Sequence, residues 1–362
     1  MICKTILTVV AAVVFLTPGL AGSTPKFRDL LETPALKSPL AAKSLLNGIA
    51  LAGKRLVSVG QRGHILYSDD GGKNWTQVEV PVSSDLVAVY FPTPEKGWAV
   101  GHDGVVLHTA DRGVTWVKQF DGNAAVRVVR SFYTDHPPAA GPPGSAGVSG
   151  LPEHIKRFVQ EGADKHFLDV WFDNETDGYI VGSFNTIFRT SDGGKNWQPW
   201  FERTENPGWS HLYAIRRIGQ DLFISGEQGL VLKLDPGAGM FRRVKVPYQG
   251  TFFGVTGRAG SVLVFGMRGQ VFRSDNGGKS WQKVETGVPA GLTGATITKD
   301  GRLVLVSQAG DVLVSKDEGL SFQAAKVEKA LPAAAVAAFD EDTLVLAGFG
   351  GLAIQSIKNT IE

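Results

Sequence analysis

One eight-residue motif recurs along this chain at intervals of about 40 residues. It reads Ser/Thr-x-Asp-x-Gly-x-x-Trp. Five copies keep this pattern closely, and they begin at Ser68, Thr109, Thr190, Ser274 and Ser315. The fourth copy has Asn in place of Asp, the fifth has Phe in place of Trp, and a degenerate copy from Leu234 keeps only Phe241. A repeat of this length that contains about four short strands is typical of a β-propeller, in which each repeat forms one blade.

The repeat continues to the end of the chain and predicts seven blades. Glycine pairs precede the motif at fixed distances, and the pair Gly348 and Gly351 marks Ser356 as a seventh position. The chain ends soon afterwards, so the seventh blade lacks its outer strand. We expect a strand from 25–42 to supply it and close the ring, because an open sheet edge promotes aggregation. The predicted fold is therefore an all-β, seven-bladed propeller of four-stranded blades.

Blade 2 shows the predicted strand pattern within one repeat. Its inner strand is expected at Asp85–Phe91, its second strand at Trp98–Gly101 and its third at Val105–Thr109. The motif then forms a turn, and the outer strand follows at Val117–Phe120.

One interval, from Thr109 to Thr190, is twice the usual length. The excess falls in 121–165, which contains a Pro/Gly-rich stretch and, from Pro152 to Glu161, apolar residues at helical spacing. No motif or glycine pair occurs there. We interpret 121–165 as an insertion between blades 2 and 3, with an eighth blade as the alternative.

Composition agrees with many tight turns between short strands. The 362 residues include 45 Gly, 20 Phe and 8 Trp, and 43% of them are hydrophobic. A net charge of +2 gives no reason to expect nucleic acid as a partner. A single cysteine excludes a disulfide scaffold.

The first residues have the pattern of a signal peptide. Within 1–22, Lys4 precedes an apolar run of about 12 residues, then Pro18 and small residues up to Ala21. The run is shorter than the ~20 residues that span a bilayer, so cleavage near Ala21 is favoured over a retained anchor. We therefore expect residues 23–362 to form one propeller domain in the periplasm, with secretion as a less favoured alternative.

The repeated motif itself is interpreted as a turn device. Its Ser/Thr and Asp side chains can accept hydrogen bonds from the backbone of the turn, and its Trp can pack beneath it. Each copy belongs to a different blade, so the acidic side chains cannot converge on one ligand. The residues assigned to this structural role are Asp70, Trp75, Asp111, Trp116, Asp192, Trp197, Asn276, Trp281, Asp317 and Phe322.

The motif is the Asp-box, or BNR repeat, shared by sialidases, sortilin-like receptors and the photosystem II stability/assembly-factor family. The stretch 98–116, with counterparts at 179–197 and 263–281, resembles the blade unit of the assembly factors, and the resemblance covers roughly 45–357. It implies a non-enzymatic factor that binds a membrane protein or its extracytoplasmic segment during assembly. Exported relatives of this family occur in non-photosynthetic bacteria, and the signal peptide and insertion resemble theirs.

A glycoside hydrolase of the sialidase type, or a carbohydrate-binding propeller, is the alternative function. A sialidase needs three arginines around a carboxylate, an acid/base Asp and a Tyr activated by a Glu. The nearest match to its first arginine stretch, 27–30, lacks the Ile-Pro that usually follows. For carbohydrate binding, Phe184 and Phe349 are the expected exposed aromatic residues.

The loops between second and third strands surround the channel of a propeller and form its default binding face. Polar residues there are not required by the blade motif, although each can simply be a solvated turn residue. The candidates are Arg62, His102, Asp103, Glu227 and Arg268. Small residues recur on the inner strands except at Asp169, which is expected either to place a carboxylate in the channel or to bridge strands by a hydrogen bond.

The family resemblance also implies an arginine-rich patch that binds the client protein, with a solvated basic edge as the alternative. The candidates carried over are Arg216, Arg217, Arg242, Arg243, Lys245 and Arg258. No cofactor, metal site or catalytic residue is expected, because the histidines are isolated and the glycine pairs belong to strand turns. The expected partner is a membrane protein, bound by a monomer that is peripheral to the membrane.

Overall fold

The computed structural model describes residues 28–138, 150–327 and 330–358. These residues form seven antiparallel sheets that follow one another along the chain, and within each sheet the strands lie in chain order. This confirms the seven-bladed β-propeller. The first four blades are β1 (Leu46–Ala52), β2 (Arg55–Gly60), β3 (Ile65–Ser68) and β4 (Thr76–Gln77); β5 (Leu86–Tyr90), β6 (Gly97–Gly101), β7 (Val106–Thr109) and β8 (Val117–Phe120); β9 (Phe167–Phe172), β10 (Gly178–Gly182), β11 (Ile187–Thr190) and β12 (Gln198–Pro199); and β13 (Leu212–Ile218), β14 (Asp221–Gly226), β15 (Val231–Asp235) and β16 (Met240–Arg243).

The last three blades continue the same order. They are β17 (Phe252–Arg258), β18 (Ser261–Gly266), β19 (Val271–Ser274) and β20 (Gln282–Val284); β21 (Leu292–Ile297), β22 (Leu303–Ser307), β23 (Val312–Ser315) and β24 (Gln323–Ala324); and β25 (Ala333–Ala338), β26 (Thr343–Gly348) and β27 (Gly351–Ser356). In blade 2 the predicted strands agree with the observed ones within one residue at each end.

Small residues lie where the inner strands approach the axis. At Gly48 a Cβ atom would lie 3.1 Å from the backbone oxygen of Val87 on the next blade, so a larger residue would require its neighbours to shift. Each inner strand also has a register shift beside this position, as between Leu46 and Gly48, and in blade 3 the residue there is Asp169. Such β-bulges bend the strand and increase its twist.

The Asp-box turns are held by their own side chains. The hydroxyl of Ser68 donates to Asp70 Oδ1 (2.8 Å) and accepts from the N–H of Gly72 (2.9 Å). Asp70 also accepts from the N–H of Asn74 (2.9 Å), and the indole N–H of Trp75 donates to the oxygen of Gly72 (2.9 Å). The backbone N–H of Asn74 is the main cause that lowers the pKa of Asp70 to about 2.

Closure of the ring differs from the prediction. The seventh sheet contains three strands, and no strand forms within 28–42, the described part of the segment expected to complete it. This segment follows blade 1 instead, where the N–H of Ala35 donates to the oxygen of Val80 (3.0 Å) and the Nε2 of Gln77 donates to the oxygen of Leu36 (3.0 Å). Since these bonds hold it at blade 1, it does not add a strand to β27.

Blades 7 and 1 are joined by side-chain packing. A short 3-10 helix, Ala41–Lys43, lies against β27 and closes one end of this contact. Beside it a buried cluster combines residues of both blades, namely Ala41, Leu46, Ile49, Leu56, Leu66, Ala337, Val345 and Ala347.

The described part of 121–165 contains two helices. Helix α1 (Gly122–Asp135) begins after Asp121, whose carboxylate accepts from the N–H of Ala124 (2.9 Å), and helix α2 is Leu151–Gln160. Val129 of α1 and Phe158 of α2 are buried in the same cluster as Phe188 and Phe201 of blade 3. Among the described residues, no helix has the length and apolar character needed to cross a bilayer.

Candidate functional site

The two faces of the propeller carry different turns. We call the face with the turns between second and third strands the turn face, and the opposite face, with the Asp-box turns, the box face. Five turn-face turns place residues other than glycine at positive φ, namely Arg62 (54°), Asp103 (55°), Phe184 and Asn185 (51° and 57°), Gln228 (54°) and Arg268 (57°). The candidates Arg62, Asp103 and Arg268 are thus the tips of equivalent turns, and Glu227 lies one residue before a fourth tip.

A channel follows the propeller axis. Its cavity of about 630 Å³ is lined by inner-strand residues of all seven blades, and the predicted site residues His102, Asp169, Arg216 and Arg217 reach it. The turn tips Arg62, Asp103 and Arg268 do not line this cavity. The funnel expected from the sequence is therefore divided between a channel lining and an outer ring of turn tips.

Asp169 both places a carboxylate in the channel and bridges strands by hydrogen bonds, the two roles expected from its position. It is 3% exposed, it lines the channel, and its Oδ2 accepts from the N–H of Ile215 on blade 4 (2.8 Å) and from the guanidinium of Arg216. Burial raises the pKa of Asp169, and the charge of Arg216 opposes that rise. The carboxylate therefore both lines the channel and bridges blades 3 and 4.

His102 connects the channel mouth to the insertion. Its ring lies 4.5 Å from the ring of His166, nearly at right angles, and His166 ends the linker that follows α2. Burial is the main cause that lowers the pKa of His102.

The six basic residues carried over from the family resemblance do not form one patch. Successive strands run in opposite directions, so Arg216 and Arg217 near the end of β13, and Arg258 at the end of β17, lie towards the box face. Arg217 forms a two-point ion pair with Asp173 (2.6 and 2.5 Å), and Arg216 pairs with Asp169. Their charges are therefore neutralised by blade 3.

Arg243 and Lys245 belong to the turn face. There the guanidinium of Arg243 donates to the backbone oxygen of Gln228 (3.4 Å). Arg242, the residue before Arg243 in β16, forms an ion pair with Glu205 (2.7 Å).

Arg243 and Lys245 line a groove of about 430 Å³ at the edge of blade 4, which we call the cationic groove. Among the described residues that line it are two cations and no carboxylate; the others include Gln228, Tyr248 and Gln249. The hydroxyl of Tyr248 donates to the oxygen of Met267 (3.3 Å), which places the groove beside the turn tip of blade 5. The groove is therefore suited to an acidic ligand.

An aromatic row crosses the turn face from blade 3 to blade 5. It consists of Phe184, His211, Tyr213 and Phe253, and successive ring centroids are 4.5, 6.2 and 5.5 Å apart. Tyr213 and Phe253 also line the channel. The row was not predicted from the sequence as a unit, because its members belong to three different repeats.

Large apolar side chains are exposed on the same face. Phe184 is 44% exposed, Met267 40% and Phe349 77%. Each lies in a turn between a second and a third strand. Met267 lies beside the cationic groove, because its backbone oxygen accepts the hydrogen bond from Tyr248. An exposed apolar side chain at this place is typical of a surface that binds another polypeptide.

One Tyr–Glu pair invites comparison with a glycosidase nucleophile. The hydroxyl of Tyr133 in α1 donates to Glu202 Oε2 (2.5 Å). Burial raises the pKa of Tyr133 far above its usual range, whereas a nucleophilic tyrosine needs the opposite shift. The pair lies where the insertion packs on blade 3, and it joins these two elements.

The family model of photosynthesis system II assembly factor YCF48 matches residues 39–124 and 154–322, more than half of the chain. It passes over 125–153, which contain most of α1.

Two curated relatives are assembly factors of photosystem II. Photosystem II assembly lipoprotein Ycf48 of Synechococcus sp. (strain CC9902) is 26% identical over 156 residues, covering 42% of this chain and 46% of the relative. The chloroplastic photosystem II stability/assembly factor HCF136 of Arabidopsis thaliana is 24% identical over 287 residues, covering 74% of this chain and 62% of the relative. The matches thus span about half to three fifths of the length of these relatives.

Two solved structures share the fold. One is described as YCF48 bound to D1 peptide, with a TM-score of 0.63 and 16% identity over 90% of this chain and 100% of that chain. The other is YCF48 from Cyanidioschyzon merolae, with a TM-score of 0.60 and 16% identity over 89% of this chain and 98% of that chain.

Proposed function

This chain belongs to the photosystem II assembly factor YCF48 family, and we propose that it is a non-enzymatic assembly factor that docks an extracytoplasmic segment of a membrane protein on its turn face. The observation that carries the proposal is the cationic groove beside the exposed side chain of Met267, on a face that also exposes Phe184 and Phe349. A family member with the same fold has been solved with a D1 peptide, which supports a polypeptide segment as the class of ligand.

The groove favours a segment that carries acidic residues. The side chains of Arg243 and Lys245 are exposed, and the described residues that line the groove include no carboxylate that neutralises them. Apolar neighbours of the acidic residues would contact Tyr248 and Met267. Affinity then combines electrostatic attraction with burial of apolar surface, and the electrostatic part weakens as salt increases.

We also propose that the protein acts in the periplasm. The pattern of residues 1–22 supports export to the periplasm, where a monomeric propeller would meet such segments at the membrane surface.

The test is capture of membrane proteins from detergent-solubilised membranes by a tagged full-length chain, with identification by mass spectrometry. The double variant Arg243→Ala/Lys245→Ala is expected to capture the client about fivefold less well, because two exposed ion pairs contribute about 0.5 kcal/mol each. The matched control is Lys195→Ala/Lys279→Ala, which removes two exposed cations from box-face turns.

Equal capture by the double variant and the control would show that the groove is not the docking site. The function itself fails if no membrane protein is enriched, and cleavage of a fluorogenic sialoside by the chain would favour a glycoside hydrolase instead. Unchanged melting temperatures of all variants verify that the differences arise at the surface.

A further inference from the structure

A second cavity, which we call the insertion pocket, lies between α2 and the turn face of blade 3. Its volume is about 500 Å³, within the usual range for ligand pockets. Helix α2 contributes His154, Arg157 and Phe158, the turn of blade 3 contributes Phe184, and the connection to blade 4 contributes Trp209.

Flat rings form much of its wall. The ring of His154 stacks on Trp209 with centroids 3.9 Å apart and planes 11° apart. The guanidinium of Arg157 lies over Phe184, 5.1 Å from its centroid. Burial lowers the pKa of His154 to about 4, so its imidazole is uncharged at neutral pH.

Charged groups on the walls are largely paired with one another. Arg157 and Lys165 both contact Glu161 (2.6 and 3.1 Å), and His166 lies 3.2 Å from Asp164. This arrangement contrasts with the cationic groove. Because a charged guest would have to compete with these pairs, the pocket favours an uncharged one.

The insertion pocket is continuous with the proposed docking face. Phe184 belongs both to the pocket and to the aromatic row that leads to the channel mouth. In the same row, the N–H of His211 donates to Glu227 (2.9 Å), and the next residue, Gln228, lines the cationic groove. One extended segment can therefore contact the pocket, the row and the groove.

We infer that the insertion pocket binds an uncharged aromatic side chain of the client segment whose acidic residues occupy the cationic groove. This inference rests on the proposed function for the identity of the ligand. Aromatic rings gain from edge-to-face or offset contact with the rings of the wall beyond the apolar area that they bury. The insertion thus adds a second recognition point to a face that the blades alone provide.

The test uses saturation-transfer NMR with N-acetyl-tyrosinamide as the probe and N-acetyl-alaninamide and N-acetyl-aspartamide as comparators. The tyrosine probe is expected to bind at least fivefold more tightly than either comparator. Glu153→Trp places a bulky side chain at the rim of the pocket, and Phe184→Ser removes one wall. Each variant is expected to weaken the tyrosine probe at least fivefold.

Lys156→Trp is the matched control, because residue 156 lies on the same helix but does not line the pocket. It should leave binding unchanged, as should Arg243→Ala/Lys245→Ala. The inference is overturned if the alanine probe binds as well as the tyrosine probe, if the aspartate probe binds better, or if both pocket variants bind the tyrosine probe normally.

The outcome is separable from that of the capture experiment. If membrane proteins are captured but the tyrosine probe does not bind, the inference alone fails. If the probe binds at the pocket but no membrane protein is captured, the proposed function fails, and the aromatic specificity of the pocket stands.

Discussion

At the scale of single residues, each box aspartate serves its own turn. Asp111 accepts from the N–H groups of Val114 (3.0 Å) and Thr115 (2.9 Å) and from the hydroxyls of Thr115 (2.6 Å) and Thr109 (2.8 Å). Such bonds join residues close in sequence, which is why the spacing of the motif was enough to predict a turn. Asp169 is different, because its partners Ile215 and Arg216 belong to the next blade.

Asp111→Ala is expected to destabilise the protein by about 1 kcal/mol, because it leaves these donors without their carboxylate. Thermal unfolding followed by circular dichroism should show a melting temperature lower by a few degrees. The control is Asp275→Ala, which changes an exposed residue at a variable position of another box turn and should have little effect. Equal melting temperatures for the two variants would assign no stabilising role to the box aspartate.

At the scale of elements, the N-terminal segment and the insertion are the parts that the repeat does not describe. The segment was expected to pair with β27, but its hydrogen bonds to the blades lie on blade 1 and, through Lys118, on blade 2. Helical spacing in 152–161 agreed with α2, whereas the contact of both helices with blade 3 depends on apolar residues from distant parts of the chain. The spacing of apolar residues predicts a helix, but it does not predict which part of the protein the apolar face of that helix packs against.

Deletion of 25–42 is expected to lower the melting temperature and promote aggregation. Leu31 is 3% exposed and packs in the core cluster of blades 1 and 2, and Ala41 is buried between blades 7 and 1. The variants Leu31→Ala and Leu36→Ala distinguish the loss of buried contacts from the shortening of the chain. Leu36 is the matched control, because it is 75% exposed. Leu31→Ala should cost about 2 kcal/mol and Leu36→Ala almost nothing. If the deletion and Leu31→Ala both unfold like the unaltered chain, the segment is dispensable.

At the scale of the whole molecule, the turn face gathers features that are widely separated in the sequence. The cationic groove, the aromatic row and the insertion pocket come from blades 3 to 5 and from α2, and they meet because these three blades are neighbours around the axis and α2 packs on blade 3. Docking on this face requires that the chain reaches the compartment of its client.

Export is the corresponding prediction. The pattern of residues 1–22 is expected to direct the chain out of the cytoplasm with cleavage near Ala21. Cell fractionation and intact mass of the purified protein should give a periplasmic species that is shorter than the 38.7 kDa chain. A cytoplasmic protein of full mass would contradict both the export and the proposed encounter with a membrane protein.

The sequence by itself determined the number of blades, the order of strands and the chemistry of the box turns, because a repeat of about 40 residues and hydrogen bonds within a turn are local properties. Tertiary structure decided which side chains meet. Because successive strands run in opposite directions, Arg216, Arg217 and Arg258 lie towards the box face. Arg243 and Lys245 lie on the turn face. Packing of the insertion created a pocket that no repeat encodes, because its walls come from α2, blade 3 and the connection to blade 4.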